Sequence, residues 1–225
     1  MEGTESPESA VKLWETLERP WQAAFHEAWE SWRSGNFGIG AVLVDPETQK
    51  IVATGRNRVA QPEPRPRMLT GNMTAHAEMN AFAALDRFNA QGLHLYTTVE
   101  PCLMCAATAM QLKLAHVHFA TRDGYFDGID NLWSQHPVTA KRQPQTTGPF
   151  DRSLSRLGHF ARLLPLIFTL QNFPDSSGAV KLARATHPEL ATIADNVRND
   201  RRLIEVRAEG SIVDGLTALW DQLPE

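Results

Sequence analysis

Two short clusters carry the most pointed chemistry in this 225-residue chain: His76-Ala77-Glu78, and Pro101-Cys102-Leu103-Met104-Cys105. One imidazole and two thiols are the kind of N and S donors that tetrahedral Zn²⁺ takes. Three protein donors leave a fourth position open, which separates a catalytic zinc from a structural one. Water there becomes acidic enough to supply hydroxide near neutral pH. Glu78 stands two residues from His76. At the first turn of a helix it can reach the open side without being a ligand, which suits a proton shuttle. Other chemistries share parts of the pattern. A lone Cys-x-x-Cys can be a redox pair or half of a structural zinc site. The structural site wants four donors, and the chain has only two cysteines. The redox pair gives His76 and Glu78 no role. A lone histidine is more often a helix cap or a core residue, so it is the joint pattern that points to a catalytic metal.

Both clusters must be positioned by helix starts, where the backbone dipole favours a thiolate. The sequence supplies such elements. Leu13, Trp14, Leu17, Trp21, Phe25, Trp29 and Trp32 recur at helical spacing, with a break expected at Pro20. Residues 39–44 and 51–56 read as strands joined by the turn residues Asp45-Pro46 into a hairpin. Gln61–Thr70 holds three prolines and reads as a loop. Thr74 can cap a helix over Ala75–Phe88. Leu93–Val99 and His116–Ala120 read as strands, and Pro101 opens a helix reaching Leu112. The order β-β-α-β-α-β indicates a layered α/β domain whose later strands pair in parallel. Residues 121–149 lack a period and read as a long loop. The remainder reads as helices over 150–171 with a kink at Pro165, then 177–186, 188–207 and 211–223. The only candidate for a fifth strand is Ile204–Arg207. Residues 1–10 read as a disordered tail.

Composition excludes several classes. With 42% hydrophobic and 21% charged residues the chain reads as an ordinary soluble globular protein. The acidic start does not read as a signal peptide, and no run approaches the ~20 apolar residues of a membrane helix. Two cysteines three apart offer no disulfide framework and fit a reducing, cytoplasmic setting. The formal charge of −4 is concentrated in residues 1–35, where seven acids face three bases. Residues 150–225 hold nine bases against ten acids, so no segment offers a large nucleic-acid footprint.

The order H-x-E…P-C-x-x-C is the signature of zinc deaminases acting on bases. Residues about 20–125 resemble the cytidine deaminase-like superfamily, in its His-Cys-Cys branch. The carrying segments are Gly38–Val44, Gly55-Arg56-Asn57-Arg58, Thr74–Glu78 and Thr97–Cys105. The resemblance implies a three-layer α/β/α sandwich around a five-stranded mixed sheet; the domain is read as 11–149, and 150–225 as a helical extension that departs from the family. It implies Zn²⁺ held by His76, Cys102 and Cys105, with Glu78 as catalytic proton shuttle. It also implies that Asn57, the Ala77 backbone and the Glu100 carbonyl contact the substrate, and that the protein is a homodimer. Phe37 can stack on a base, beside Gly38 where members often have proline. Asp123, Tyr125, Phe126 and Asp127 follow the last core strand, where an acid such as Asp123 can receive a ring N–H, or simply form an Asp-Gly turn. Trp133 and His136 could line a lid in the same loop, or pack against a partner subunit.

The implied reaction is hydrolytic deamination of a cyclic amidine, with loss of ammonia. A small amino-heterocycle, purine-type by preference, is expected as substrate. A tRNA or other nucleic acid is the alternative; Arg56, Arg58, Arg65 and Arg67 are the basic residues it would use, and they read at least equally well as a solvated loop. A non-enzymatic assembly protein is the third reading, against which the intact Glu78 speaks.

Overall fold

The computed structural model describes residues 7–125 and 129–225. Its frame is a mixed five-stranded sheet of β1 (Gly40–Asp45), β2 (Lys50–Arg56), β3 (His94–Val99), β4 (His116–Thr121) and β5 (Gln145–Thr147). The order across the sheet is β2-β1-β3-β4-β5. β1 pairs antiparallel with β2 and with β3, while β4 and β5 continue parallel to β3.

Side chains alternate along β1 and assign it to two cores. Ala41 and Leu43 join Leu95 and Val117 under α3 (Ala77–Ala84) and α4 (Leu103–Gln111). Val42 and Val44 face Ala24 of α2 (Arg19–Arg33) on the other side. Pro20 sits in the first turn of α2, where its missing N–H has no partner to lose, and α1 (Pro7–Thr16) precedes it as a separate helix. The helix breaks at residues 17–18, just before Pro20, rather than at the proline itself. α1 starts at Pro7, inside the stretch read as a tail, whose first six residues lie outside the described residues.

The later helices are α7 (Ser155–Asn172), α8 (Gly178–Thr186), α9 (Pro188–Val197), α10 (Arg201–Glu209) and α11 (Ile212–Leu219). They share one apolar core with α1 and α2, built on Phe25, Trp29, Trp32, Phe160 and Leu164. Trp29 Nε1 donates to the Gly210 carbonyl at 3.1 Å, and Arg207 reaches the Trp32 carbonyl at 2.7 Å. No helix among the described residues is long and apolar enough to cross a membrane.

Four local expectations are corrected. The fifth strand is Gln145–Thr147, not Ile204–Arg207, which lies within α10. Three exposed polar residues carry no strand pattern of their own, and their pairing is supplied by the neighbouring His116–His118. The 121–149 loop also contains two short helices, α5 (Ile129–Ser134) and α6 (Pro137–Arg142). The helix expected over 75–88 is shorter at both ends, with His76 rather than Thr74 at its N-cap; the Thr74 hydroxyl turns back to Asn72 Oδ1 at 2.5 Å. The helix expected over 188–207 is two helices, because Asp200 starts a new one by accepting from Leu203 N.

Candidate active site

α3 and α4 both enter from extended residues. His76 (φ −71°, ψ 161°) is the N-cap of the first and Cys102 (φ −66°, ψ 172°) of the second, and neither side chain caps its own helix. Both imidazole and thiol are therefore free to point at a common spot. Cys105 joins them, fully buried in the first turn of α4. The close fit of α3 to the sheet fixes this placement. A Cβ on Gly55 of β2 would lie 2.2 Å from Ala81 N, so only glycine admits the helix this near.

His76 Nδ1 lies 3.5 Å from Cys102 Sγ and 3.7 Å from Cys105 Sγ, and the two sulfurs are 3.6 Å apart. A tetrahedral zinc with bonds of ~2.3 Å to sulfur and ~2.0–2.1 Å to nitrogen requires donor separations of about 3.6–3.8 Å. The three donors fit that ion closely.

Charge within the set favours a cation. The Cys102 thiol is brought down to about 4, first by the hydrogen bond from Cys105 and further by His76. The Cys105 thiol is pushed up by its bond to Cys102, by burial and by Glu78. His76 is raised by its contact with Cys102. A dication displaces the remaining protons, since only thiolate and neutral imidazole ligate.

Glu78 is buried beside this set. Its Oε2 is 3.4 Å from Cys105 Sγ and its Oε1 accepts from the Thr97 hydroxyl at 3.1 Å. Burial pushes its carboxyl above the usual range, opposed by His76.

The set opens on a cavity of about 450 Å³, lined by Phe37, Asn57, Ala77, Glu78, Glu100 and Asp123 among others. All the residues expected to touch substrate thus line one space. Asn57 Oδ1 is engaged by Val59 N at 3.2 Å, and the residue is buried. The Glu100 carboxylate holds Arg122 at 3.0 Å and accepts from Asp123 N at 3.3 Å. Asp123 is more than a turn residue, because its Oδ1 accepts from Arg162 Nη1 of α7 at 3.0 Å. Burial raises the Asp123 carboxyl and Arg162 pulls it back. Phe37 packs on Phe168, ring centroids 4.3 Å apart, with Phe173 at 6.4 Å. Tyr125 also lines the cavity, whereas Phe126 and Asp127 lie outside the described residues. Trp133 lines a separate small hollow and His136 caps α6.

Sequence reasoning missed the roof. Arg162, Pro165, Leu166, Phe168 and Thr169 of α7, with Phe173 and α8 residues Ala179 and Ala183, close the cavity. Arg162 Nε is buried without a partner among the described residues. The available signal was a single arginine inside the apolar run 160–170. Gly38 belongs to the same change. Its φ of +70° is closed to proline, and a Cβ there would lie 2.7 Å from Leu164 Cβ of α7.

A mixed sheet flanked by helices, with a His-Cys-Cys donor set at two helix starts beside a buried acid, is an arrangement that suits a zinc-binding deaminase region. Residues 15–121 match the family model of the cytidine and deoxycytidylate deaminase zinc-binding region. The tRNA-specific adenosine deaminase 2 of Xenopus laevis is 29% identical over 134 residues, covering 54% of this chain and 70% of that protein. The tRNA-specific adenosine deaminase of Aquifex aeolicus is 26% identical over 149 residues, covering 64% and 92%. A solved guanine deaminase from Nitrosomonas europaea superposes with a TM-score of 0.50 at 16% identity, over 73% of this chain and 96% of that one, and shares the fold.

Proposed function

We propose that this domain hydrolytically deaminates a small amino-substituted heterocycle, a purine-type base or nucleoside, with His76, Cys102 and Cys105 as zinc ligands and Glu78 as proton shuttle. The observation that carries this is the buried Glu78 carboxyl beside a three-donor set, facing a cavity of about 450 Å³. A purely structural metal has no use for that acid, and the volume suits a small ligand.

Bound there, zinc supplies a Lewis acid that brings the pKa of water down to about 7. The chain's residues do the rest. Thr97 steadies Oε1 of Glu78, leaving Oε2 to take the proton of the attacking water. Glu78 passes that proton to the ring nitrogen, then moves the proton of the newly added hydroxyl to the amine, so that a carbonyl forms as the C–N bond breaks and ammonia departs. Asn57 and the Ala77 backbone orient the ring from one side. Arg162, held through Nη1 by the ion pair with Asp123, places a guanidinium in the cavity wall. Phe37, Leu166 and Phe168 exclude bulk water.

The similarity to tRNA adenosine deaminases favours a second reading, an adenosine within RNA. Of the arginines expected to serve it, Arg58 is buried against Gln61 and Arg56 approaches Glu30 at 3.7 Å, which leaves Arg65 and Arg67. Ammonia release from guanine, adenine, cytosine, their nucleosides, triazine-like analogues and tRNA decides between them. Turnover of tRNA alone, with binding that weakens steeply in salt, overturns the small-substrate reading. The expected homodimer is tested by the mass of the protein in solution.

A further inference from the structure

We infer that His94, His116 and His118 form a second metal site, for a first-row divalent ion of the zinc class, at the opposite end of β3 and β4 from the His-Cys-Cys set. The parallel register places His94 beside His116 and Tyr96 beside His118. The two-residue period of β4 puts His116 and His118 on one face of the sheet. Their rings stack 4.1 Å apart, and one ligand atom from each of the three histidines lies within 4.8 Å of the others.

The distances suit coordination. His118 Nε2 and His94 Nδ1 are 3.3 Å apart. Two imidazole nitrogens on a tetrahedral zinc, each ~2.0–2.1 Å from the metal, stand about 3.3–3.4 Å apart. His116 offers one ring nitrogen within 4.8 Å of the ligand atoms of the other two. The Thr147 hydroxyl holds His116 Nε2 at 2.8 Å, the kind of outer contact that orients a ligating imidazole through its other nitrogen. All three side chains are half-buried, so solvent ions reach them and an open position remains.

Burial holds the imidazole of His118 down to about 4, aided by His116 and His94, and burial also lowers those two. Three neutral rings with lone pairs in one cluster are a ligand set in waiting.

The test is a Co²⁺ titration of the full metal-free chain. Two equivalents are expected. One gives a thiolate-to-cobalt charge-transfer band, and the other only the weak visible bands of nitrogen and oxygen ligation. H116Q/H118Q should lose the second equivalent and keep the thiolate band, while C102S/C105S should do the reverse. Imidazole NMR of the unsubstituted chain needs no variant to fold. The second equivalent should shift His94, His116 and His118 and leave His26, His136, His159 and His187 in place. A single equivalent in the unsubstituted chain overturns the inference. So does a second equivalent that survives in folded H116Q/H118Q, or one that shifts the other histidines.

Discussion

Arg162 of α7 donates to Asp123, 39 positions earlier in the chain, at 3.0 Å, and the pair sits in the wall of the cavity that Glu78 faces. The arginine is 6% exposed and the aspartate 18%. The ion pair therefore joins the deaminase domain to its C-terminal helices at the very place where substrate is proposed to lie.

Removing the arginine should show that coupling. Arg162→Met leaves Asp123 nearly buried and unpaired, which costs about 3 kcal/mol. Adding Asp123→Asn should return a good part of it, because the stranded charge is gone. Urea unfolding of both variants measures this. Equal destabilisation in the two would deny the pair any coupling.

Glu78→Gln keeps the side chain's size and its contact with Thr97 but cannot carry a proton. Zinc content should stay at the unsubstituted level, while ammonia release falls by at least ~10²–10⁴-fold. Activity that persists would dismiss Glu78 as the shuttle. Chelation of the metal should abolish the same signal and lower the melting temperature.

Phe173 is 39% exposed, yet it lines the cavity beside Phe37 and Phe168. Phe173→Ala should cost little stability and raise KM for a small heterocycle roughly tenfold, which is about 1.4 kcal/mol of binding. An unchanged KM would place the substrate elsewhere.

The start of α11 is a reciprocal capping box. The Ser211 hydroxyl accepts from Asp214 N, and the Asp214 carboxylate accepts from Ser211 N at 2.8 Å. The Ser211 hydroxyl, then its N–H, holds the Asp214 carboxyl below its ordinary value. A carboxyl depressed in the folded state stabilises above its unfolded value of ~3.9 and loses that contribution as pH falls through the folded one. Asp214→Asn should therefore cost about 0.5 kcal/mol at neutral pH. The gap from the unsubstituted chain should close on acidification below that value, as thermal melts across pH will show.

Much of the site could be read from the chain because its chemistry is local. His76 with Glu78, and Cys102 with Cys105, each occupy one helix start. The strands that aim them carry their own pattern, as the fully apolar run Ala41–Val44 shows. What escaped depends on pairing or on tertiary contact. Gln145–Thr147 becomes a strand only beside β4. The division of 188–207 had a visible signal in Asp200, a good cap, which the helical spacing around it outweighed. Arg162 and Phe168 sit on a helix whose apolar face is ambiguous in sequence, since nearly the whole of 157–170 is buried. His116 and His118 share a face by simple alternation, but His94 reaches them only through the register of β3 on β4.

The roof over the cavity divides the labour of the chain. The three metal-ligand candidates and Glu78 lie before residue 106, while much of the cavity wall, Arg162 included, comes from α7 and α8. Changes in the last third of the protein can thus reshape the cavity wall without touching the His-Cys-Cys donors or Glu78. Two proteins sharing the same first 124 residues could present one donor set to cavities of quite different bulk.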